Sequence, residues 1–522
     1  MEIASFARLG YEGEIIKVEA DLRRGIPAID IVGLPDGAVK EARERMRAAI
    51  RNSGLDFPKE RILINLCPAD LKKEGSSFDL PIALAVLASA EQADTSESSS
   101  TVMVLGELEL SGRVRPVRGV LAAVSRGIAC GIKLFIVPEQ NLAEAQLLHQ
   151  GKVEGARTLV EAVEKYHHIC ATQSMTETDT NEHINIEQPN EIIRWSKIQG
   201  GYEDVKGQEK LVRALEIAAA GGHHLIAYGP PGCGKTLSLS RFPSLLPNLD
   251  TGTAMTLTRI HSIAGILPPP AFDGSNPLLY KAPFREPHQN ASLEGIIGGG
   301  KNCLPGEISL AHGGVLFLDE AAQFRSSVLQ ALRTPLETGT VTVSRAGRAD
   351  TYPAQFQLLM AVNPCPCGNF GAAGRICTCT PDMVEKYWKR MTAPLLDRID
   401  IRVALDSPDG KSLIQSQSGF NTTDLRKSIM KARLAQQKRG KVNARLDPEE
   451  IEKICHLSPS SQTLFSKSME HARLSGRGGH ALLKVARTIA DLEGEPNIQD
   501  EHILEAIQFR KWNGFVPDFL ST

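Results

Sequence analysis

The sequence contains no apolar run long enough to span a membrane, and its first residues, MEIASFARLGYEGE, lack the pattern of a secretory leader. An excess of one charge is also missing, because 59 Lys and Arg against 61 Asp and Glu leave a net charge of -2. This balance predicts no general attraction to nucleic acid, so any DNA contact must come from a local basic patch. We expect a cytoplasmic protein that has no membrane partner.

The chain of 522 residues is long enough for about two to four domains. Its ten cysteines would suit a secreted disulfide scaffold, but a long chain without an export signal argues against one. Four of the cysteines lie close together in the sequence, and such a cluster indicates metal binding.

Hydrophobic periodicity divides the chain into four parts. In residues 1–168 short β-like runs alternate with amphipathic stretches, which predicts an α+β domain. Residues 169–194 are polar and predict a linker, with an exposed loop inside one domain as the alternative. Strands alternate with helices over 195–405, as in an α/β parallel sheet, and 406–522 are mostly helical by period.

The stretch HLIAYGPPGCGKT, residues 224–236, predicts a P-loop, because an apolar strand precedes it and a helical pattern follows. Backbone N–H groups of such a loop surround the phosphates of ATP, while its lysine binds the β- and γ-phosphates and its threonine hydroxyl binds Mg²⁺. The predicted nucleotide-binding residues are Gly229, Pro230, Pro231, Gly232, Cys233, Gly234, Lys235, Thr236 and Leu237.

Two further strands are predicted to end at the same site. GGVLFLDE ends in Asp319, expected to hold Mg²⁺, and Glu320, expected to polarise the attacking water; an acidic helix cap is the alternative. FQLLMAVNP ends in Asn363, whose amide would orient that water or contact the γ-phosphate, or else form an Asn-Pro turn. Arg398 in PLLDRID is a candidate donor of positive charge to the transition state, or a surface ion-pair partner of a neighbouring aspartate.

The clustered cysteines follow the pattern Cys-x-Cys, nine residues, Cys-x-Cys in CPCGNFGAAGRICTC. Four thiolates from one short Gly-rich loop can surround a tetrahedral ion, so we predict zinc. Free thiols and an iron–sulfur cluster are the alternatives. The predicted ligands are Cys365, Cys367, Cys377 and Cys379.

Sequence-independent DNA contacts are predicted for a β-hairpin in TVTVSRAGRADTYP, where Arg345 and Arg348 flank the Gly347 turn. An ordinary exposed hairpin is the alternative. A second candidate is the stretch 281–301, with Arg285, His288 and Lys301.

Several stretches extend these local motifs to nearly the whole chain: FREPHQNAS, KNCLPGEISLAHGGVLFLDE, NPCPCG, PLLDRID and KVARTIADL. They resemble the YifB/ComM family of magnesium-chelatase-like AAA+ ATPases, in the helix-2-insert branch. The resemblance implies a homo-hexameric ring that binds ATP and Mg²⁺ and remodels DNA, with branch migration in recombination during natural transformation and recombination proteins as partners. It also implies that Arg398 is an arginine finger acting on a neighbour's nucleotide and Arg477 a sensor-2 arginine, and that residues 204–208 lie near the adenine.

The N-terminal part resembles the proteolytic domain of Lon proteases in KKEGSSFDLPIALAVL and GELELSGRVRPVRGVLAAVSRGI. That domain uses a serine–lysine dyad, and Ser77 stands at the serine position. Leu121 occupies the place of the lysine, so we predict a domain that keeps the fold without protease activity. Ser76 or Ser77 is then expected to cap the helix that Asp79 begins.

The sequence motifs leave three classes of function open. The leading one is an ATP-driven DNA motor, a helicase or branch-migration factor. The alternatives are a motor subunit of the magnesium-chelatase type and an ATP-dependent protein-remodelling factor.

Overall fold

The computed structural model describes residues 2–91, 101–173, 200–267, 278–345, 348–370, 375–406, 420–472 and 474–512. Within these ranges, the side chains of 171–173, 345 and 348 are left out of the description. The described residues form an N-terminal α+β unit, a central parallel sheet with helices, and a C-terminal group of helices.

The N-terminal unit is a mixed sheet covered by helices. Its strands are β1 (Glu2–Ala7), β2 (Glu14–Arg23), β3 (Ile29–Val32), β4 (Arg61–Cys67), β5 (Val102–Val104), β6 (Glu107–Leu108), β7 (Val114–Arg115), β8 (Leu134–Pro138) and β9 (Lys152–Ala156). Its helices are α1 (Gly37–Asn52), α2 (Asp79–Glu91), α3 (Val120–Ala129), α4 (Leu142–Ala145) and α5 (Leu159–Gln173). Seven strands pair in the order β3-β4-β2-β1-β5-β8-β9, and β6 pairs with β7.

Helix α2 is the centre of this unit. Its residues from Asp79 to Ala88 are all buried, which explains why its sequence has no polar face. The buried carboxylate of Asp79 accepts hydrogen bonds of 2.8 and 2.9 Å from the guanidinium of Arg45 on α1. The one buried charged group of this apolar helix therefore has an ionic partner, as burial requires.

Helix α5 corrects the predicted boundary at residue 168. It runs to Gln173, five residues beyond that boundary, because Tyr166 and Ile169 continue its buried face against the N-terminal core. The rest of the predicted linker, from residue 174, lies outside the described residues.

The central unit is built on a sheet of five parallel strands, and it also contains two separate strand pairs. Its strands are β10 (Leu225–Tyr228), β11 (Phe284–Arg285), β12 (Gly298–Gly299), β13 (Leu304–Pro305), β14 (Val315–Leu318), β15 (Thr340–Arg345), β16 (Arg348–Pro353), β17 (Gln357–Val362) and β18 (Ile401–Ala404). The two separate pairs are β12 with β13 and β15 with β16. Its helices are α6 (Glu209–Gly221), α7 (Lys235–Ser240), α8 (Thr251–Ala264), α9 (Leu293–Ile297), α10 (Glu307–Leu310), α11 (Ser326–Ala331), α12 (Arg333–Thr338), α13 (Pro381–Lys389) and α14 (Ala393–Leu396).

The sheet order β11-β14-β17-β10-β18 brings the carboxyl ends of β10, β14 and β17 to one edge. Strands β10, β14 and β17 are buried along their whole length, as expected for parallel strands covered on both faces. This alignment fixes the place of the candidate site, because ligands of open parallel sheets bind beyond that edge.

The C-terminal helices are α15 (Thr422–Lys438), α16 (Pro448–Ile454), α17 (Pro459–His471), α18 (Gly476–Glu493) and α19 (Asp500–Gln508). Helices α15 and α18 pack on α6, and apolar residues of all three helices belong to one buried cluster. Side chains of α15 also form hydrogen bonds with two carbonyls at the end of α6. Arg433 donates to the carbonyl of Ala219, and Gln436 donates to the carbonyl of Ala220. The helical unit is therefore held against the parallel sheet by α6.

Helix α8 joins the N-terminal unit to the central unit. Ile263 on α8 is buried in a cluster formed mainly by N-terminal residues, and Ser262 donates a hydrogen bond to the buried carboxylate of Glu144. Arg259 lies 4.3 Å from the ring centroid of Tyr11 and donates to its carbonyl at 3.1 Å. Across the described parts of the chain, no helix combines the length and apolar character that crossing a membrane requires.

A buried histidine makes the stability of the fold depend on pH. His312, immediately before the glycine pair that leads into β14, is 6% exposed, and its Nδ1 accepts the N–H of Gln355 at 3.2 Å. Burial lowers the pKa of His312 to about 4. An unfolded histidine binds its proton near pH 6.5, so this contribution is complete above that pH and is lost as pH falls toward 4.

We therefore expect acidification from pH 7 to 4.5 to lower the free energy of unfolding by up to roughly 2–3 kcal/mol through His312. Denaturant titrations at a series of pH values measure this slope. His312→Asn, which keeps an acceptor at the Nδ1 position, should flatten the slope, and His471→Asn at an exposed position of α17 is the control. Equal slopes for wild type and His312→Asn would contradict the assignment.

Candidate nucleotide site

The phosphate-binding loop predicted between β10 and α7 has the backbone that its glycines suggest. Gly232 and Gly234 adopt φ values of 82° and 85°, and a Cβ atom on either would meet nothing within 4 Å. Glycine is favoured here by the left-handed backbone, and the open space lies where the loop N–H groups can meet an anion. Leu237 in the first turn of α7 is 43% exposed, so its side chain is also open to a ligand.

Lys235 is the buried centre of the site. Its Nζ donates to the carbonyls of Gly229 at 2.7 Å and Pro230 at 2.9 Å and to Oδ1 of Asn363 at 3.2 Å. The residue is 7% exposed, and burial lowers its pKa. Carbonyl and amide oxygens hold the ammonium group beside the loop, and among the described residues no carboxylate forms a salt bridge with it, which suits binding of an anion.

Oxygen ligands for a magnesium ion meet beside the lysine. The Thr236 hydroxyl donates to Oδ2 of Asp319 at 3.0 Å, and Oδ1 of Asp319 accepts the N–H of Glu320 at 2.9 Å. A hydroxyl and a carboxylate are hard oxygen donors of the kind Mg²⁺ prefers. The residues present therefore fit the ion that a P-loop requires.

Glu320 has an unusual backbone for a residue with a side chain. Its φ is 49°, in the left-handed region, and its Oε2 accepts a hydrogen bond of 2.5 Å from Gln323. Such a conformation costs on the order of 1–3 kcal/mol and is frequent at active sites. The strained turn directly after β14 therefore marks Glu320 as a candidate functional residue.

Glu286 joins this site without having been predicted. It follows β11 at the same edge of the sheet, and its pKa is raised by burial and by the charge of Asp319. The available signal was its position in FREPHQNAS, directly after a short strand. Gln208, in the stretch 204–208 that is predicted to lie near the adenine, donates from its side chain to the carbonyl of Cys233 at 2.8 Å, so this stretch contacts the P-loop.

Arg398 and Arg477 meet at one carboxylate, that of Glu337, although the three residues come from distant parts of the sequence. Glu337 lies on α12, Arg398 in the turn after α14, and Arg477 on α18. Arg398 donates to Oε1 of Glu337 at 2.6 Å, and Arg477 donates to the same oxygen. The hydrogen bond from Arg398 lowers the pKa of Glu337. Arg398 also donates to the carbonyl of Pro394, so its ion pair is with Glu337 and not with Asp397 or Asp400.

This arginine pair lines a cavity of about 990 Å³ that also contains Arg333, Arg402, Arg510 and Lys511. Arg477 is the second residue of α18, and the Ser475 side chain caps that helix by accepting the N–H of Gly478 at 3.1 Å. The glycines at this helix start therefore do not prevent a regular first turn. We call Arg398 and Arg477 the arginine pair below.

The four predicted metal ligands lie together. The sulfur atoms of Cys365, Cys367, Cys377 and Cys379 are all within 4.8 Å of one another. Cys365 is fully buried, and burial raises its pKa to about 12, whereas backbone N–H groups, with Asn369 first, lower the pKa of Cys367 to about 6. The prediction of a four-cysteine cluster is confirmed, and a disulfide scaffold is not formed, since all ten cysteines are free.

The N-terminal serines do not act as predicted at the start of α2. The Ser76 hydroxyl donates to the carboxylate of Glu107, and Ser77 contributes its carbonyl, which accepts the N–H of Gly106 at 3.3 Å. The capping prediction is wrong for Ser76, because an acceptor on β6 is available to it. A lysine does lie nearby in the sequence, but Lys73 is fully buried and donates to the carbonyl of Pro68.

The predicted hairpin is confirmed as β15 paired with β16, with Arg345 opposite Arg348. Both arginine side chains and residues 346–347 lie outside the described atoms. In the second candidate stretch, Arg285 pairs with Glu307 at 2.6 Å and Lys301 with Glu74 at 2.6 Å. His288 there accepts the N–H of Asn290 at 3.2 Å.

A P-loop, an acidic strand end and an asparagine at the edge of a five-stranded parallel sheet define a P-loop nucleotide-binding protein. Family models agree with this class: magnesium chelatase subunit ChlI matches residues 201–413, a second ChlI model matches 18–141, and the ChlI C-terminal model matches 419–510.

The similar proteins narrow the class further. The chain is 39% identical to the protein YifB of Salmonella typhimurium over 97% of this chain and 96% of that one. It is 37% identical to the competence protein ComM of Haemophilus influenzae over 97% of each. A Lon protease of Trichlorobacter lovleyi is 25% identical over 136 residues, which are 25% of this chain and 16% of the protease. The chain belongs to the YifB/ComM family of magnesium-chelatase-like AAA+ proteins.

Replacing the buried lysine tests the site directly. Lys235→Ala should weaken binding of ATP at least about 100-fold, because it removes the one ammonium group inside the loop. Fluorescence titration with a labelled nucleotide measures the change. Lys210→Ala, an exposed lysine on α6, should leave the affinity unchanged. Full affinity in Lys235→Ala would place the nucleotide elsewhere.

Proposed function

We propose that this protein is an ATP-dependent DNA motor, a helicase or branch-migration factor in homologous recombination during natural transformation, which works as a homo-hexameric ring in the cytoplasm. The single observation that carries the proposal is the arrangement of charge around the nucleotide site. Lys235, Thr236 and Asp319 are together, while the arginine pair is bonded to Glu337. The similarity to a competence protein supports the biological setting.

Each residue of the site has a defined task in ATP hydrolysis. Lys235 and the loop N–H groups bind the phosphates, and Thr236 and Asp319 hold Mg²⁺, which neutralises phosphate charge when it is bound. Glu320 orients a water molecule and accepts its proton, and Asn363 keeps Lys235 in position and contacts the terminal phosphate. These tasks need no further protein group except positive charge for the transition state.

The arginine pair supplies that charge to a neighbouring subunit. Within one chain the described hydrogen bonds of Arg398 and Arg477 go to Glu337 and Pro394. A side chain that is positioned by its own subunit, but not bonded to its own P-loop, suits a site shared between subunits. Hydrolysis then requires assembly, as expected for a closed ring with repeated head-to-tail interfaces.

Mixing two inactive variants tests whether Glu320 and Arg398 act on one nucleotide from different subunits. Glu320→Gln should bind ATP without hydrolysing it, and Arg398→Ala should fail because its neighbour lacks the arginine. At equal amounts, about a quarter of the interfaces combine an intact Glu320 with an intact Arg398, so ATPase activity should partly return.

The matched control mixes Glu320→Gln with Lys235→Ala. Both residues serve one nucleotide from the same chain, so no interface regains a complete site and the mixture should stay inactive. Absence of recovery with Arg398→Ala at every mixing ratio would show that this arginine serves its own subunit.

DNA is assigned to the β15–β16 hairpin. The chain has no overall basic excess, so the contact must be local. Arg285 and Lys301, the alternative contacts, are each paired with a carboxylate of the same chain. The hairpin brings Arg345 and Arg348 opposite each other beside its turn, where they would contact phosphates without reading base sequence.

A branch-migration assay tests both the function and this surface. Wild type should move a branched DNA junction with ATP but not with a non-hydrolysable analogue. Replacing both Arg345 and Arg348 by alanine should weaken DNA binding and reduce the salt slope by up to about two. Arg23→Ala with Arg24→Ala removes the same charge from the exposed end of β2 and should change neither DNA binding nor its salt slope.

The same assay separates the alternatives. ATPase activity that ignores DNA but rises with a porphyrin-binding partner would favour a motor of the magnesium-chelatase type, which the matching family models also describe. Casein degradation abolished by Ser77→Ala would favour a protease, contrary to our proposal. An unchanged salt slope in the hairpin variant would remove the hairpin from the DNA interface.

A further inference from the structure

The loop that carries the four cysteines touches the phosphate-binding loop. Gly368, between Cys367 and Asn369, has a φ of 79°, and a Cβ atom on it would lie 2.8 Å from Cδ of Pro231. No side chain fits between the two loops without moving one of them. The cysteine loop therefore packs directly against the P-loop.

A second connection runs through the strand that precedes the cysteines. Asn363, two residues before Cys365, accepts the hydrogen bond from Lys235. Between them, the carbonyl of Pro364 accepts the indole N–H of the fully buried Trp388 at 2.9 Å. Displacement of Cys365 would thus be transmitted to the partner of the nucleotide-binding lysine.

The sulfur atoms have the spacing of a tetrahedral thiolate site. The distances are 3.3 Å between Cys365 and Cys367, 3.7 Å between Cys365 and Cys377, and 3.6 Å between Cys367 and Cys377. Four thiolates at about 2.3 Å from a zinc ion lie about 3.8 Å apart. The N–H of Phe370 also donates to the Cys365 sulfur at 3.3 Å, as backbone donors do around metal-bound thiolates.

A metal ion here would join the end of β17 to the start of α13. The first cysteine pair follows β17, and the second pair ends one residue before Thr380, whose side chain caps α13 by accepting the N–H of Met383 at 3.3 Å. Residues Met383, Lys386, Tyr387 and Arg390 of this helical segment line a cavity of about 420 Å³ together with Asn363. The ion would therefore fix both the end of β17 and the helix facing it.

We propose that the four cysteines bind a zinc ion whose presence sets the affinity of the P-loop for nucleotide. The inference rests on the proposed nucleotide site and adds a metal-dependent control of it. Zinc holds the cysteine loop against Pro231 and holds Asn363 against Lys235. Loss of zinc releases both contacts, so the empty protein binds nucleotide weakly even though every P-loop residue is intact.

The test measures zinc content and nucleotide affinity on the full chain without DNA. Wild type should contain about one zinc per chain, and Cys377→Ser, at a half-buried ligand away from the P-loop, should lose most of it. Its nucleotide dissociation constant should rise at least about tenfold. Cys130→Ser, an exposed cysteine outside the cluster, is the matched control and should change neither quantity.

Two further measurements distinguish the effect of zinc loss from misfolding of the Cys377→Ser variant. Wild type stripped of zinc with a zinc-selective chelator under reducing conditions and then returned to zinc should lose and regain nucleotide affinity. Gly368→Ala should keep its zinc but bind nucleotide weakly, because the added methyl group displaces Pro231.

The outcomes are distinguishable. Wild type that holds no zinc overturns the metal site, and a zinc-free chain with unchanged nucleotide affinity overturns the coupling; neither result affects the proposed DNA motor. Zinc-loaded wild type that binds no nucleotide overturns both the inference and the proposed function.

Discussion

The buried ammonium group of Lys235 is the interaction on which the rest of the site depends. It draws together the loop after β10 and the residue after β17, because the carbonyls of Gly229 and Pro230 and the amide of Asn363 share its protons. A lysine with so little exposure is tolerated only where oxygen atoms surround it. The same requirement fixes the loop in a conformation open to phosphate before any ligand arrives.

Charge is divided between two places on the subunit. Lys235 stands at the P-loop, whereas the arginine pair stands on a cavity wall that is rich in further cations. Glu337 neutralises part of that charge in the single chain, and its pKa is lowered as a result. A carboxylate in this position keeps the two arginines ordered and close together, and a phosphate from a neighbouring subunit would compete for the same donors.

The N-terminal unit contacts the central unit through elements close to the proposed DNA surface. Tyr11 packs edge-on against Tyr352 of β16 with ring centroids 5.7 Å apart, and its other neighbour is Arg259 of α8. The hairpin therefore rests at its base on the N-terminal unit. In that unit, Lys73 donates to the carbonyl of Pro68 and the Ser76 hydroxyl donates to the carboxylate of Glu107.

Local features of the chain were readable from its sequence. Glycine spacing predicted the P-loop, apolar runs predicted β10, β14 and β17, and the cysteine pattern predicted a cluster. These features depend on neighbours in the chain or on burial of a strand, so composition and spacing are enough to recognise them. The end of α5 was missed because Ile169 gains its burial from the N-terminal core, which lies far away in sequence.

Only the tertiary structure decided the contacts between residues that are distant in the sequence. Lys235 and Asn363 are 128 positions apart, and Glu337 is 140 positions from Arg477. Gly368 meets Pro231 only because the parallel order of the sheet aligns β10 with β17. Sequence thus determined which chemical groups the chain carries and the local backbone that presents them. Their meeting depends on strand order and helix packing, which are set by the sum of many weak apolar contacts that no short motif encodes.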